Sequence, residues 1–211
     1  MAEALYYLSE SLAWAPTSAP RGELVLISDT VESSGAFLVH HFVALFLKAG
    51  HRVCFLNFAN SNAHYAAVGR KLEDKQQTPV SVVIDDLSAL KWQFGADKVL
   101  AFVRCCKTLT HTDNGRVNVV VLSHADTASS SLSSSPFTSR LLNAALLDMS
   151  SVVFSVAPLP SGYSKDVHGT LTIQQQSSGL EGLRAPVAIS YKILENTIRC
   201  FRSGGDALCS I

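Results

Sequence analysis

With 211 residues, the chain is long enough for one domain with a sizeable core. Hydrophobic residues at 47% against 16% charged exclude an intrinsically disordered chain. A formal net charge of +0 excludes a domain-wide field that would draw in nucleic acid or an anionic membrane, which leaves RNA contact to a local patch or to partners.

In chain order, residues 1–22 read as a leader, Pro- and Ser-rich from Ala15 to Pro20, with Glu3 and Glu10 where a signal peptide would want Lys or Arg. Residues 23–203 read as a single domain and 204–211 as a tail. Leu24-Val25-Leu26-Ile27 is a continuous apolar run, as in a strand buried on both faces. A polar turn, Ser28 to Ser34, ends at Gly35. Phe37 to Lys48 is apolar around almost its whole circumference, which predicts a buried helix stopped at Gly50. Val53 to Leu56 predicts a second strand. Asn60 or Asn62 can then cap a helix carrying Tyr65, Val68 and Leu72 on one face. Val80 to Ile84 is a third strand, closed by Asp85-Asp86. Lys98 to Leu109 predicts a helix with Val99, Phe102, Val103 and Cys106 on one face. Val117 to Leu122 is a fourth strand. Residues 127–137 form a Ser-rich loop, followed by a short helix over Leu141 to Leu147 and a fifth strand over Val152 to Val156. This rhythm predicts an α/β fold with a mainly parallel sheet. After Pro160 the pattern alternates. Val167, Gly169, Leu171 and Ile173 fall on one side, and Val187 to Ile193 and Ile198 to Phe201 flank a Glu195-Asn196 turn, so antiparallel strands extend the sheet at its C-terminal end.

The turn between the first strand and helix stands where a P-loop would stand. A working P-loop needs glycines for close phosphate approach, a Lys for the outer phosphates and a Ser or Thr for magnesium. Laid on Gly35, that pattern puts Thr30 at the first glycine, Ala36 at the lysine and Phe37 at the hydroxyl. Ser33, Ser34 and Gly35 read as ordinary helix capping. Val82 to Asp86 looks like the acidic strand end that holds magnesium-bound water in P-loop enzymes, with capping of the next turn by Asp85 or Asp86 as the alternative. His40 and His41 stand about 100° apart on a helix and cannot share a metal, and Cys105-Cys106 has the same problem. Cys106 reads as core and Arg70-Lys71 as a charged helix face, while Ser123-His124 ends a strand at the sheet's ligand edge, where a solvated loop histidine is favoured over one that reports on a bound group. The five cysteines, Cys54, Cys105, Cys106, Cys200 and Cys209, include no CxxC pair and predict free thiols in an intracellular protein. No apolar run approaches the roughly 18–20 residues of a membrane span.

Three stretches carry a family resemblance: Gly35-Ala36-Phe37-Leu38-Val39-His40-His41-Phe42, then His64-Tyr65 with Val68 to Leu72, then Asp166-Val167-His168-Gly169-Thr170-Leu171 with Tyr191-Lys192-Ile193. Together they resemble subunit six of the Elongator complex, in order from near Leu24 to Phe201. The resemblance implies a RecA-like three-layer fold without a functional P-loop. It also implies a heterohexameric ring built with subunits four and five and attached to the core complex. That ring contacts tRNA whose wobble uridine is modified, in the cytoplasm and nucleus, and subunit six is not the acetyl-transferring catalyst. No cofactor, catalytic residue, metal or membrane contact is expected, and Asp166, His168 and Gly169 are interface candidates. In one respect the chain departs from the family. Only Glu73 to Pro79 separates Leu72 from the third strand, where the family has a further strand and helix. The chain therefore reads as internally shortened, with either an unpaired strand edge or a sheet closed across the gap, and with apolar surface of Val82–Ile84 exposed. The alternative function is a nucleotide-binding or ATP-hydrolysing regulatory protein.

Overall fold

The computed structural model describes residues 12, 14–15, 17–58, 78–111, 115–125, 136–162, 164–176, 185–194 and 198–202. The helix expected over Tyr65 to Leu72, most of the Ser-rich stretch, the Glu195-Asn196 turn and the tail lie outside them. Eight strands and four helices are described: β1 (Leu24–Asp29), α1 (Ala36–Lys48), β2 (Arg52–Leu56), β3 (Val80–Ile84), α2 (Leu87–Phe94), α3 (Ala96–His111), β4 (Val117–His124), α4 (Pro136–Met149), β5 (Val152–Ala157), β6 (Gly169–Gln175), β7 (Val187–Ile193) and β8 (Ile198–Arg202).

The strands form one sheet in the order β2-β3-β4-β1-β5-β6-β7-β8. The first five pair in parallel, and β6, β7 and β8 add on in antiparallel fashion. This is a RecA-like α/β sheet, as the sequence led us to expect. Strand periodicity explains how it is buried. Val25 and Ile27 of β1 point to the α1 side with Val83, Val120 and Phe154, while Leu24 and Leu26 point to the α2–α4 side with Ile84, Val119 and Val153. A strand covered on both faces is apolar along most of its length, hence the continuous runs. The antiparallel strands bury chiefly one face, with Leu171, Ile173, Ile189 and Tyr191 joining the α1 side. On that side Phe42 sits at the centre, edge-on to Phe154 and Trp14 with ring centroids 5.4 and 6.1 Å away.

A buried polar network fixes the opposite end of the sheet from the candidate site. His51 Nδ1 lies 2.9 Å from Ser81 Oγ, the Asn118 amide donates to that hydroxyl at 3.3 Å, and the Glu23 N–H donates to Asn118 Oδ1 at 3.4 Å. These bonds tie β1, β3 and β4 into one register and give each of the three buried side chains a partner.

Several elements differ from expectation. The helix α2, unforeseen in the sequence, is a separate eight-residue element ended by Gly95 at φ 86°. On α3, Val99, Val103 and Cys106 are buried but Phe102 is 36% exposed. The stripe runs through positions 99, 103, 106 and 110, and Phe102 stands on its flank. The strand β4 runs two residues past Leu122 to His124, and α4 begins at Pro136, inside the expected Ser-rich loop. Of the two outcomes expected from the shortened connection, the sheet closes. All five residues of β2 pair with β3, from Arg52 against Val80 to Leu56 against Ile84. The expected exposure of Val82–Ile84 is confined to Val82, which is partly buried, while Val83 packs in the cluster of α1 and Ile84 in that of α2 and α3, both fully buried.

Candidate functional site

The carboxyl ends of parallel strands are where sheets of this type place their sites. Here the ends of β1, β3 and β4 bring four titratable side chains together. Asp29 closes β1 and stands directly across from His124, the last residue of β4, in the parallel register. Only 1% of Asp29 is exposed. Its Oδ1 takes a hydrogen bond from His124 Nδ1 at 2.5 Å, and its Oδ2 accepts the Gly35 N–H at 2.7 Å. A buried carboxylate needs such partners, because its desolvation is otherwise costly.

The connection from Asp29 to α1 is correspondingly tight. Thr30 and Ser33 exchange backbone hydrogen bonds at 3.1 and 3.3 Å, and the Ser33 N–H also reaches Thr30 Oγ1. Gly35 is then packed so closely that a Cβ would fall 2.8 Å from Ile27 Cγ2 and 3.2 Å from Asp29 Cβ. Its glycine is required by this close approach, not by its φ of −87°. Ala36 opens α1 and offers no charge, while Phe37 leans on Tyr191 with ring centroids 5.2 Å apart. The Tyr191 phenol, buried from β7, bonds to the Ser33 side chain and faces Asp29. Burial is the main cause that raises its pKa, with Asp29 adding to it.

The two acids after β3 have separate partners. Asp85 is buried and accepts the Phe58 N–H at 2.6 Å, which fastens the chain leaving β2 to the end of β3. Asp86 is the N-cap of α2 and accepts the N–H groups of Ser88 at 2.7 Å and Ala89 at 3.1 Å. Asp86 also lies 3.8 Å from His124 Nε2, and the His124 N–H donates to Ser88 Oγ at 3.0 Å. His124 thus stands between two carboxylates at the sheet edge, where the sequence favoured a solvated loop histidine over one that reports on a bound group.

The remaining sequence candidates fall elsewhere. Asp166, His168 and Gly169 lie at the entry to β6. Asp166 takes an exposed ion pair from Lys192 at 3.0 Å, and His168 is exposed with its Nδ1 accepting the Ile193 N–H at 3.1 Å. Gly169 is buried, and a Cβ there would fall 2.6 Å from Ala157 O and 2.8 Å from the Tyr191 hydroxyl. This glycine therefore leaves room for the phenol that packs on the turn after β1. His41 is partly buried on α1, its pKa lowered to about 4 by burial and by Lys48. Cys106 is in the core, where burial raises its pKa, and Cys105 faces outward. Sequence reasoning missed Asp29 and Tyr191. The one local signal for Asp29 was an acid two residues after a fully apolar run.

These features define an α/β protein of RecA-like sheet order whose first strand-to-helix turn is closed by its own carboxylate. The profile of the family described as Elongation complex protein 6 matches residues 6–73 and 72–195 of the chain. The Mus musculus protein named Elongator complex protein 6 is 25% identical over 263 residues, covering 93% of this chain and 96% of the mouse protein. The Xenopus tropicalis protein of that name is 26% identical over 267 residues, with 95% and 97% covered. The Homo sapiens one is 43% identical over 65 residues, or 31% of this chain and 24% of that protein. The chain belongs to the Elongation complex protein 6 family. The mouse alignment also measures its shortening. As 93% of 211 residues is about 196, the 263 aligned positions include about 67 at which this chain has no residue. The break between the two profile matches, at residues 72 and 73, falls in the connection from β2 to β3.

Proposed function

We propose that this chain is a non-catalytic subunit of the Elongator complex, a building block of a heterohexameric ring with subunits four and five. In that reading the ring attaches to the core complex, holds tRNA for modification of its wobble uridine, and works in the cytoplasm and nucleus. Residues 23–203 act as its single RecA-like domain, between a leader and a short tail. Asp166, His168 and Gly169 belong to an interface and not to a catalytic centre.

The observation that carries the non-catalytic reading is the hydrogen bond from the Gly35 N–H to Asp29. A phosphate at a helix N-terminus needs free N–H groups and a positive field. Here a carboxylate of the chain already takes that donor, and its charge opposes any incoming phosphate. Ala36 supplies no cation and Phe37 no hydroxyl for magnesium. Thr30, Gly35, Ala36 and Phe37 are then a degenerate P-loop, and Asp85 and Asp86 keep the fold's acidic strand end in structural roles. Calorimetric titration of the purified chain with magnesium-ATP tests this. No binding in the micromolar range is expected. A micromolar Kd that disappears in Asp85→Ala would overturn the reading and favour a regulatory nucleotide binder.

A further inference from the structure

Among the described residues, the buried side-chain donor left without a hydrogen-bond partner is the Nε of Arg199 on β8. Such a group calls for an explanation, because burying it unpaired is costly. Strand alternation sets where it points. Tyr191 and Cys200 pair across β7 and β8 and face the α1 side, so Lys192 and Arg199, the next pair, face the other way. Two cations therefore stand directly opposite each other on neighbouring strands, where like charges repel. Lys192 donates to the Asp166 carboxylate at 3.0 Å, and Asp166 is itself 90% exposed. Among the described residues no carboxylate does the same for Arg199. His168 extends the row at the entry to β6. It is exposed, and its Nδ1 accepts the Ile193 N–H at 3.1 Å, so the neutral ring carries its proton on Nε2 as a further donor.

The row has donors in excess and lacks a negatively charged acceptor. A nucleic-acid backbone fits it poorly. Such a backbone presents phosphates in series, and its binding grows with the number neutralised. Here there are only two permanent cations, and the acid that holds one of them would repel a neighbouring phosphate. A single carboxylate fits well. It can take the Arg199 fork through two parallel hydrogen bonds while Asp166 keeps Lys192. At the same end of β7 stands Ile193, 41% exposed and paired with Ile198 of β8. Apolar side chains beside an isolated guanidinium suit a protein surface, where arginine is enriched among contact residues.

We propose that His168, Lys192 and Arg199 form a docking surface for a neighbouring protein subunit, with an Asp or Glu side chain of that subunit held by the Arg199 guanidinium. The proposal rests on the ring reading above and adds to it the charge of one contact and the residue that makes it. In the lone chain the Arg199 Nε is shut away from water with nothing to bond. Turning outward to a partner's carboxylate gives it the missing acceptor and offsets the repulsion from Lys192.

The test is co-purification of the full chain with co-expressed Elongator subunits four and five, as wild type, R199E, R199Q and R199K. Circular dichroism and melting temperature report whether each variant folds. R199Q, which removes the charge but adds none, is read alone if R199E does not fold. Recovery of at least one partner is expected to fall about tenfold or more in R199E and R199Q, the scale of a lost hydrogen bond to a charged group. R199K, a point charge without the fork, should fall between them and wild type. Unchanged recovery with the folded R199Q would overturn the docking surface and leave the ring reading standing. Recovery of neither partner by the wild type would remove the ring reading and the proposal with it. Full recovery of both partners by R199E, with weakened tRNA binding by the assembly, would show that the row meets RNA and would equally overturn the proposal.

Discussion

Asp29 shows how much of the site depends on residues that sequence reading cannot bring together. It meets His124 across 95 positions of chain, and only the β1–β4 register makes them neighbours. The glycines were easier to find than their partners. Gly35 and Gly169 both stood out in the sequence, but what they make room for, Ile27 with Asp29 and Tyr191 with Ala157, comes from other strands. Gly35→Ala should cost about 1–3 kcal/mol, because the new methyl must displace Ile27 or Asp29 from a packed position. Shifted urea midpoints at an unchanged m-value would show it. His168 has no such packing role, being exposed. His168→Ala should leave the melting temperature of the isolated chain nearly unchanged while reducing recovery of partner subunits. A variant that unfolds but assembles normally would contradict that.

Histidines on the α1 side set a pH dependence. Burial lowers the pKa of both His41 and His51, with Lys48 adding to the first and Arg21 to the second. Above the ordinary value of 6.5 both are neutral, folded or unfolded, and stability does not depend on them. Below it the unfolded chain takes up protons that the folded chain resists, so stability falls as pH drops. For His41 the loss runs from 6.5 down to about 4 and then levels off. It should amount to on the order of 2 kcal/mol, since each tenfold change in proton affinity is worth about 1.4 kcal/mol and solvent at this partly exposed ring screens some of it. Thermal melts between pH 7.5 and 4 will measure it, and His41→Gln should flatten the curve.

Among the elements, the central strands were legible because burial on both faces makes most of β1, β3 and β4 apolar, the buried polar residues Asp29, Ser81 and Asn118 each having a hydrogen-bond partner. The antiparallel strands were legible for the opposite reason, since one covered face imposes alternation on Gly169, Leu171 and Ile173. Helix α2 was not, because its eight residues are too few for periodicity to stand out. Its start is written in Asp86, whose capping role was only one of two readings open in the sequence. Asp86→Ala should cost about 1 kcal/mol through the lost cap. The same change removes one of the two carboxylates flanking His124, so the His124 ring resonances should shift in the NMR spectrum as well. A variant with full stability would mean that the Ser88 and Ala89 N–H groups find other acceptors.

For the whole molecule, the net charge of +0 limits what the chain can do alone. Binding to tRNA depends on phosphate neutralisation and falls steeply with salt. The isolated chain should therefore bind tRNA much more weakly than an assembly that pools patches from several subunits. Titrations of both at one salt concentration will decide it, and equal affinity would contradict the account. The sheet closes across the shortened β2-to-β3 connection, but the chain has about 67 fewer residues than the mouse alignment spans, which sets the second limit by leaving less surface to offer partners.

The central claim, that this chain is a building block of the Elongator ring, is tested most directly by co-purification. The chain and the longer mouse relative, equally tagged and expressed with Elongator subunits four and five, are recovered side by side. The account predicts that this chain brings down both partners above background, at a lower yield than the mouse protein. Recovery of neither partner, with the chain folded and the mouse protein pulling down both, would contradict it.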